Sequence, residues 1–361
     1  MVKSVYIHIP FCRQKCKYCS FVSYTNKELI EKYTKSLITE IKTRYKGEKL
    51  NTLYFGGGTP SILNTDNFEK IISKFNFDEK PEITVEANPE FLTYEYLKSL
   101  YEVCINRVSI GIQSFDDEIL SEIGRKHTSQ EAVKAVELSK KAGFSNISID
   151  LIYGLPEQTH KKFLKSLKTA VSLDIQHISS YGLKIDEGSY YYNNLPKNLP
   201  DNDVQADMYE EMVSFLQDNG FYHYEISNFT KKGFESRHNL NYWNAGEYYG
   251  FGCASCGYEN KKRYSHTKNP EEYIENPVKL TDKEVLTEQK LLEEYIFLGL
   301  RKKQGINISE INKKFGIDFY SKYGFIIKKY ENYFEKNENF LNFNLNGFLV
   351  SNIILSEFIE A

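Results

Sequence analysis

The chain contains, close to its first residue, the segment Cys12-Arg13-Gln14-Lys15-Cys16-Lys17-Tyr18-Cys19. This C-x3-C-x2-C spacing follows an apolar run, residues 4–9, that is typical of a β-strand. Thiolates are soft donors that suit iron–sulfur chemistry, and three of them can bind three irons of a [4Fe–4S] cluster. Because no fourth cysteine lies nearby, one iron is left for another ligand. The spacing therefore predicts a cluster site at Cys12, Cys16 and Cys19.

Other interpretations of the three cysteines remain open. A structural zinc site needs four ligands, usually in paired C-x2-C units, and no partner pair with that spacing is obvious. A disulfide framework needs an oxidising compartment, and packing of three cysteines by chance would rarely place them so close together. Lys15 and Lys17 are expected to lower the pKa of the neighbouring thiols.

Length and charge limit the classes of function. The 361 residues carry a net charge of −3 with a pI near 6.2, so the chain has no basic footprint for nucleic acid. No stretch approaches the roughly 20 apolar residues of a membrane span, and no signal peptide is expected. The sequence predicts a protein of the reducing cytoplasm.

Strand-like and helix-like segments alternate along the first half of the chain. Six apolar runs end in glycine, proline or polar residues, with amphipathic segments between them, which is typical of a parallel sheet with helical crossovers. The fold class predicted is α/β, a partial (β/α)6 TIM-like barrel. Ligands bind at the C-terminal ends of such strands, so the unusual residues there are expected to form one site. They are the cysteine loop, the Gly56–Gly58 triplet, Glu86, Gln113 and Asp150.

The regular alternation stops near residue 193, which predicts three parts. Residues 1–225 form the barrel core, residues 226–280 an irregular linking lobe, and residues 281–361 a small C-terminal α+β module of winged-helix type. The last module is predicted to contain helices, the first beginning at Thr281, and a hairpin around Asn346-Gly347. Cys104 is predicted to be a small buried residue.

Five motifs together resemble the radical S-adenosylmethionine (SAM) superfamily, and within it the HemN/HemW group of coproporphyrinogen III dehydrogenases and heme chaperones. They are Tyr6-Ile7-His8-Ile9-Pro10-Phe11-Cys12, Phe55-Gly56-Gly57-Gly58-Thr59-Pro60, Glu86-Ala87-Asn88-Pro89, Ser109-Ile110-Gly111-Ile112-Gln113-Ser114-Phe115 and Asp150-Leu151-Ile152-Tyr153-Gly154-Leu155-Pro156.

The resemblance implies a barrel of the radical SAM type whose cluster binds SAM at its open iron and splits it to a 5′-deoxyadenosyl radical. The glycines would let the backbone approach SAM closely. The implied SAM-contacting residues are Tyr6, Tyr18, Gly57, Gly58, Thr59, Glu86, Gln113, Arg125 and Asp150. Taken singly, Glu86 or Asp150 could instead cap a strand end or form an ion pair, Tyr18 could be ordinary packing, and the glycines a simple tight turn.

Two features favour the chaperone branch, HemW. The dehydrogenases carry a further cysteine where this chain has Phe21, and His238-Asn239-Leu240-Asn241-Tyr242-Trp243 matches the H-N-x-x-Y-W motif of HemW. The resemblance thus implies a protein without coproporphyrinogen oxidase activity that binds heme, with His238 as ligand, and passes it to a recipient hemoprotein, which can be membrane-associated. It also implies a homodimer.

Alternatives remain for these residues. The rival function is the oxidative decarboxylation of coproporphyrinogen III to protoporphyrinogen IX by a radical SAM dehydrogenase. His238 could instead cap a loop while Trp243 packs in the core. Related proteins tend to have histidine at Cys256, which with Cys253 forms a C-x2-C pair; we interpret both as reduced thiols.

Overall fold

A nine-stranded sheet runs through the computed structural model, which describes residues 2–337 and 339–359. Its strands are β1 (Ser4–Ile9), β2 (Lys49–Gly57), β3 (Asn76–Ala87), β4 (Arg107–Gln113), β5 (Ile147–Tyr153), β6 (His177–Gly182), β7 (Tyr222–Glu225), β8 (Asn228–Thr230) and β9 (Tyr249–Phe251). The spatial order is β7-β8-β6-β5-β4-β3-β2-β1-β9. Strands β1 to β6 are parallel, β9 adds in parallel to β1, and β7 and β8 are antiparallel. This open sheet confirms the predicted partial barrel of six parallel strands.

Helices connect the strands of this sheet, and further helices follow it in the C-terminal part of the chain. They are α1 (Ile30–Arg44), α2 (Thr65–Ile72), α3 (Tyr94–Glu102), α4 (Asp117–Glu122), α5 (Ser129–Ala142), α6 (His160–Ser172), α7 (Tyr190–Asn193), α8 (Asn202–Asp218), α9 (Arg237–Trp243), α10 (Pro270–Glu275), α11 (Glu288–Gly299), α12 (Ile308–Phe315), α13 (Phe319–Lys329), α14 (Leu345–Leu349) and α15 (Ser351–Ser356). Short 3-10 turns cover Lys27–Leu29, Pro60–Ile62, Pro89–Phe91 and Glu331–Tyr333. Local signals set many ends: Thr128 and Glu131 form a capping box on α5, and Gly143 ends that helix at φ 110°.

The parallel strands consist mostly of apolar residues because both faces of the sheet are covered. In β1, Val5, Ile7 and Ile9 are fully buried, and all residues of β4 before Gln113 are buried. These strands form the largest hydrophobic core of the chain, which fixes the position of the loops at their C-terminal ends.

The segment 226–280 contains more regular structure than the sequence predicts. Besides β8, α9 and β9, it contributes β10 (Cys256–Glu259) and β11 (Lys262–Ser265), which form a second sheet with β12 (Lys283–Val285). The helix predicted from Thr281 instead begins at Glu288, after β12. The strands in this segment are only three or four residues long, too short to give a clear period-2 pattern.

The C-terminal hairpin is displaced from its predicted position. Strands β14 (Phe334–Lys336) and β15 (Phe340–Phe343) form it, and β13 (Ile306–Asn307) pairs with β15. The predicted turn Asn346-Gly347 lies inside α14, because the Asn344 side chain accepts the Gly347 N–H at 2.9 Å and caps a helix there. The burial predicted for Cys104 is also wrong: it is exposed, at φ 71°, just after α3.

Helix α9 closes the lower end of the barrel, where the strands begin. The Glu82 carboxylate on β3 accepts the N–H groups of Arg237 and His238, each at 3.0 Å, in the first turn of α9. A carboxylate at this position satisfies the free N–H groups of a helix start. Within the described part of the chain, no helix combines the length and the apolar composition that crossing a bilayer requires.

Candidate functional site

A cavity of about 530 Å³ lies inside the barrel, below the cysteine loop. This volume is within the range of small-molecule sites, roughly 300–1,000 Å³. The structure brings most of the predicted site residues to its wall: Cys12, Cys16, Tyr18, Cys19, Gly57, Gly58, Thr59, Glu86, Gln113, Arg125 and Asp150. Tyr6 and His238 do not line it.

The cysteine loop is held in place by backbone hydrogen bonds. The Cys12 N–H donates to the Tyr24 carbonyl at 2.9 Å, and the Lys17 N–H donates to the Ile123 carbonyl, just after α4, at 3.1 Å. Inside the loop, the Cys19 N–H donates to the Cys16 carbonyl at 3.2 Å. The positions of the three sulfurs are therefore set by the backbone.

A polar chain connects two of the thiols to the strand ends. Thr59 Oγ1 lies 3.4 Å from Cys12 Sγ and accepts from Asn88 Nδ2 at 3.3 Å. Arg125 donates from Nη2 to Asn88 Oδ1 at 2.9 Å and from Nη1 to Cys16 Sγ at 3.7 Å. Thr59, Asn88 and Arg125 thus form one hydrogen-bonded group against the cysteine loop.

The donor set fits an iron–sulfur cluster. Among residues 2–337 and 339–359, no three His, Cys, Asp or Glu side chains surround a point where one metal ion could bind. A cubane cluster does not need that arrangement, since each thiolate binds a different iron. Cys12, Cys16 and Cys19 line one cavity, and Arg125 and Thr59 are placed to donate to sulfur.

The Cys12 and Cys19 thiols favour the protonated form when no iron is bound. Burial raises the pKa of Cys12, and it raises the pKa of Cys19 to about 11. The lower pKa expected from Lys15 and Lys17 is therefore wrong in its net direction at Cys19. Lys15 has only a small effect there, and Lys17 pairs with Glu122 at 3.4 Å. Binding of iron would displace these protons.

Two buried carboxyl groups lie lower in the cavity. Glu86 accepts from the Tyr54 hydroxyl at 2.8 Å and from the Gly57 N–H at 3.3 Å. Asp150 accepts from the Ser109 hydroxyl at 3.0 Å. Burial, followed by repulsion from Asp150, raises the pKa of Glu86 to about 7, and burial raises the pKa of Asp150. Neither carboxylate forms an ion pair within the described chain, so both are available to ligand donors.

The glycine triplet is required by close packing against β1. A Cβ at Gly58 would lie 2.7 Å from the Phe11 carbonyl oxygen, and one at Gly57 would lie 2.6 Å from the His8 ring. Gly57 also has φ 112°, which side chains rarely adopt. These glycines keep the end of β2 against the cysteine loop, whatever the loop binds.

Gln113 has a strained backbone at the end of β4. Its φ is 70°, and the pairing of β4 with β5 shifts register between Gly111 and Gln113. A non-glycine residue in this region costs of order 1 kcal/mol, and such strain is concentrated at functional sites. The shift leaves Gln113 in the cavity wall.

His238 lies at the opposite end of the barrel from the cysteines. It is 1% exposed, and its Nδ1 and Nε2 lie 2.8 Å from the Thr52 and Tyr242 hydroxyl oxygens respectively. Thr52 is five residues before Gly57 on β2, about 16 Å lower at roughly 3.3 Å per residue. Burial lowers the pKa of His238 to about 3. These contacts favour the structural alternative for His238.

Tyr6 also lies outside the cavity. Its hydroxyl is 3.1 Å from His8 Nδ1, and its ring stacks on Tyr54 with 6.2 Å between centroids. The SAM contact implied for Tyr6 by the resemblance is therefore not made by the wall of this cavity, where Tyr54 is found instead.

Sequence reasoning missed several residues of the site. They are Tyr54, Asn88, Arg107 and Asn239, all of which line the cavity. Asn88 lies within the quoted Glu86-to-Pro89 motif, and its polar side chain at a strand end is a usable signal. Asn239 belongs to the H-N-x-x-Y-W motif, so the residue of that motif that reaches the cavity is the asparagine and not the histidine.

Two family models match the chain. The Radical SAM superfamily model covers residues 6–170, and the HemN C-terminal domain model covers residues 286–350. The first spans the cysteine loop and strands β1 to β5, and the second spans most of the C-terminal module.

Curated relatives match over most of their length. The heme chaperone HemW of Lactococcus lactis subsp. lactis is 39% identical over 331 residues, covering 89% of this chain and 87% of the relative. Heme chaperone HemW of Bacillus subtilis is 39% identical with 87% of each protein covered, and that of Escherichia coli is 35% identical with 70% and 69% covered.

A solved structure shares the whole fold. Coproporphyrinogen III oxidase (HemN) from Escherichia coli superposes with a TM-score of 0.87, covering 99% of this chain and 90% of that chain at 22% identity. At this identity the likeness shows the fold alone.

Proposed function

The chain belongs to the HemW family of the radical SAM superfamily, and on this premise we propose that it is a heme chaperone that binds a [4Fe–4S] cluster, SAM and heme and delivers heme to a recipient hemoprotein. The observation that carries the proposal is the match to relatives named heme chaperone HemW over nearly nine-tenths of the chain. The cysteine-lined cavity supports the cofactor part of it.

The chain's own residues have distinct roles toward the cofactors in this proposal. Cys12, Cys16 and Cys19 hold the cluster, which when bound supplies an iron for the amino and carboxylate groups of SAM and an electron. Arg125 and Thr59 donate to the sulfurs or to the ligand beside them, and donors of this kind tune iron–sulfur centres.

Lower in the cavity, the carboxyl groups of Glu86 and Asp150 would accept hydrogen bonds from hydroxyl or amino N–H groups of SAM. Gly57, Gly58 and Gln113 present the backbone of two strand ends, and Tyr18 belongs to the cysteine loop itself. The proposal keeps the three parts expected from the sequence. They are the barrel at residues 1–225, the linking lobe at residues 226–280 and the C-terminal module at residues 281–361.

The position of heme is tested through His238. For His238 to bind iron, one of its ring nitrogens has to give up its hydrogen bond to Thr52 or Tyr242, and the ring, which is 1% exposed, has to be uncovered. The experiment is a heme titration of the full chain, reconstituted anaerobically, for wild type and His238→Ala. Loss of the heme absorbance band in the variant supports His238 as ligand, and unchanged binding removes that role.

The competing function is oxidative decarboxylation of coproporphyrinogen III. The fold does not distinguish the two functions, since HemN has the same architecture. Phe21, which stands where the dehydrogenases carry a further cysteine, lines the cavity and is 67% exposed. Anaerobic incubation with coproporphyrinogen III, SAM and a reductant separates them: formation of protoporphyrinogen IX supports the dehydrogenase, whereas heme transfer to an apo-hemoprotein without turnover supports the chaperone.

Location and assembly follow from the same proposal. All six cysteines are free thiols in the described chain, which suits a reducing cytoplasm. We propose a homodimer that meets a membrane-associated recipient, and light scattering together with co-purification on recipient-containing membranes tests both statements.

A further inference from the structure

Arg107 is a buried cation on the floor of the barrel cavity. It opens β4, is 2% exposed, and is the largest fully buried side chain of the described chain. It lines the same cavity as the cysteines. Arg107 precedes Gln113 by six residues, so the Cα atoms are about 20 Å apart along the strand at roughly 3.3 Å per residue.

The Arg107 guanidinium has no hydrogen-bond or ion-pair partner among the described residues. Its Nε is buried without a hydrogen-bond partner, and the side chain makes no hydrogen bond or ion pair with any described residue. A buried charge without a partner is costly, and guanidinium has five donors in a planar fork that matches a carboxylate. Retaining such a group beside a cavity is favourable when a ligand supplies the counter-ion.

The neighbouring acceptors already have other donors. Glu86 accepts hydrogen bonds from Tyr54 and Gly57, and Asp150 accepts one from Ser109. Both carboxylates interact with Arg107 through their charge at a distance and not through a hydrogen bond. Neither Glu86 nor Asp150 therefore accepts a hydrogen bond from the Arg107 guanidinium.

The two neighbouring histidines do not add positive charge. His177 has both ring nitrogens 2.8 Å from hydroxyl groups, Ser148 on one side and Tyr224 on the other, and His238 is hydrogen-bonded at both nitrogens as well. Burial lowers the pKa of each ring, so both are neutral.

We propose that Arg107 forms a carboxylate-binding subsite at the floor of the cavity, beside the Asn239 amide. Asn239 lines the cavity next to His238 on α9 and offers a neutral donor. The inference rests on the proposed function, because that function supplies heme, a ligand whose propionates are free carboxylates. The carboxylate of SAM is assigned in that function to the cluster iron at the opposite end of β4, so the ligand proposed for Arg107 is a heme propionate.

The subsite is tested by titrating the full, anaerobically reconstituted chain with three probes: heme, heme dimethyl ester, in which both propionates are blocked, and SAM. If a propionate binds Arg107, Arg107→Gln weakens heme about tenfold or more, while the ester binds wild type and variant equally. SAM is the control probe: because its carboxylate is assigned to the cluster iron, Arg107→Gln should bind SAM as wild type does. Loss of SAM affinity with unchanged heme affinity would overturn the propionate assignment.

Arg237→Gln is the matched control, because Arg237 lies on α9 with its side chain 48% exposed and outside the cavity wall. It is expected to bind all three probes as wild type does. Arg107→Lys keeps the charge without the fork and should give an intermediate loss. Should Arg107→Gln fail to fold, as judged by circular dichroism, Arg107→Lys and the comparison of heme with its ester on wild type decide the question.

The inference is overturned if wild type binds heme and SAM but folded Arg107→Gln binds both as tightly. In the case where Arg107→Gln does not fold, it is overturned if Arg107→Lys and the ester leave affinities unchanged. If wild type binds no heme at all, the proposed function itself fails; if wild type binds heme and folded Arg107→Gln binds it equally tightly, this inference alone fails.

Discussion

Arg125 Nη1 lies 3.7 Å from Cys16 Sγ, so a guanidinium on the strand side of the cavity donates to one of the predicted cluster ligands. The same side chain also donates to Asn88 Oδ1 and to the Gly111 carbonyl oxygen. Arg125 therefore fixes the cysteine loop relative to the ends of β3 and β4, and it places positive charge beside one thiolate.

Replacing Arg125 should make the cluster harder to reduce. A cation that donates to sulfur stabilises the more negative, reduced state, so Arg125→Met is expected to shift the reduction potential to a lower value. A redox titration followed by electron paramagnetic resonance measures this shift. Arg237→Met, which removes an exposed arginine, is the control and should leave the potential unchanged; an unshifted potential in Arg125→Met would contradict the role given to this contact.

Glu86 should make the stability of the chain depend on pH when no cofactor is bound. Its folded pKa of about 7 lies above the ordinary value of 4.5 for a glutamate, so between these pH values the folded state holds a proton that the unfolded chain has released. Its contribution to stability is thus present at low pH and is lost as pH rises from about 4.5 to 7. At 1.36 kcal/mol per pKa unit, the loss is at most about 3 kcal/mol.

Glu86→Gln removes this pH-dependent contribution to the unfolding free energy because the amide does not ionise. Urea unfolding of wild type and variant should give a difference in unfolding free energy that favours the variant more at pH 8 than at pH 5. Glu225→Gln is a useful comparison: Glu225 is also buried with a pKa raised to about 7, but it does not line the cavity. SAM affinity should fall in Glu86→Gln and stay unchanged in Glu225→Gln. If the difference in unfolding free energy between wild type and Glu86→Gln is the same at pH 5 and pH 8, the pH dependence attributed to Glu86 is contradicted.

Gly58→Ala should disturb the cysteine loop through packing. The new Cβ would lie 2.7 Å from the Phe11 carbonyl oxygen, next to Cys12, so the backbone has to shift. We expect a loss of about 1–3 kcal/mol in unfolding free energy and lower iron content after reconstitution. The matched control is Gly324→Ala in α13, where a Cβ meets nothing within 4 Å and should stabilise the helix by about 1 kcal/mol or less. Equal behaviour of the two variants would refute the packing argument.

The sequence is sufficient to predict the barrel and much of the site for a simple physical reason. Mostly apolar strand segments such as residues 147–149 and 151–152 of β5 are buried, and parallel strands bring their C-terminal ends to one edge of the sheet. Polar residues at those ends, such as Glu86, Gln113 and Asp150, therefore meet in one cavity. The HemW family match confirms the resemblance that the motifs indicated.

Contacts between distant segments could not be predicted in the same way. His238 meets Thr52, which is 186 positions earlier, only because α9 folds under the barrel. Nothing in a local pattern around Arg107 shows that its charge is buried without a partner. Around Asn346-Gly347, a local turn signal was overridden by another local signal, the Asn344 cap that starts α14.

Iron and sulfide analysis of the anaerobically reconstituted chain tests the central claim most directly. We expect about four irons and four sulfides per wild-type chain and essentially none when Cys12, Cys16 and Cys19 are all changed to Ser. Cys253→Ser/Cys256→Ser, which changes two cysteines outside the cavity wall, should keep the full content. Wild-type protein without iron or sulfide, or a triple variant that keeps its full content, would contradict the assignment of this cavity as a radical SAM site.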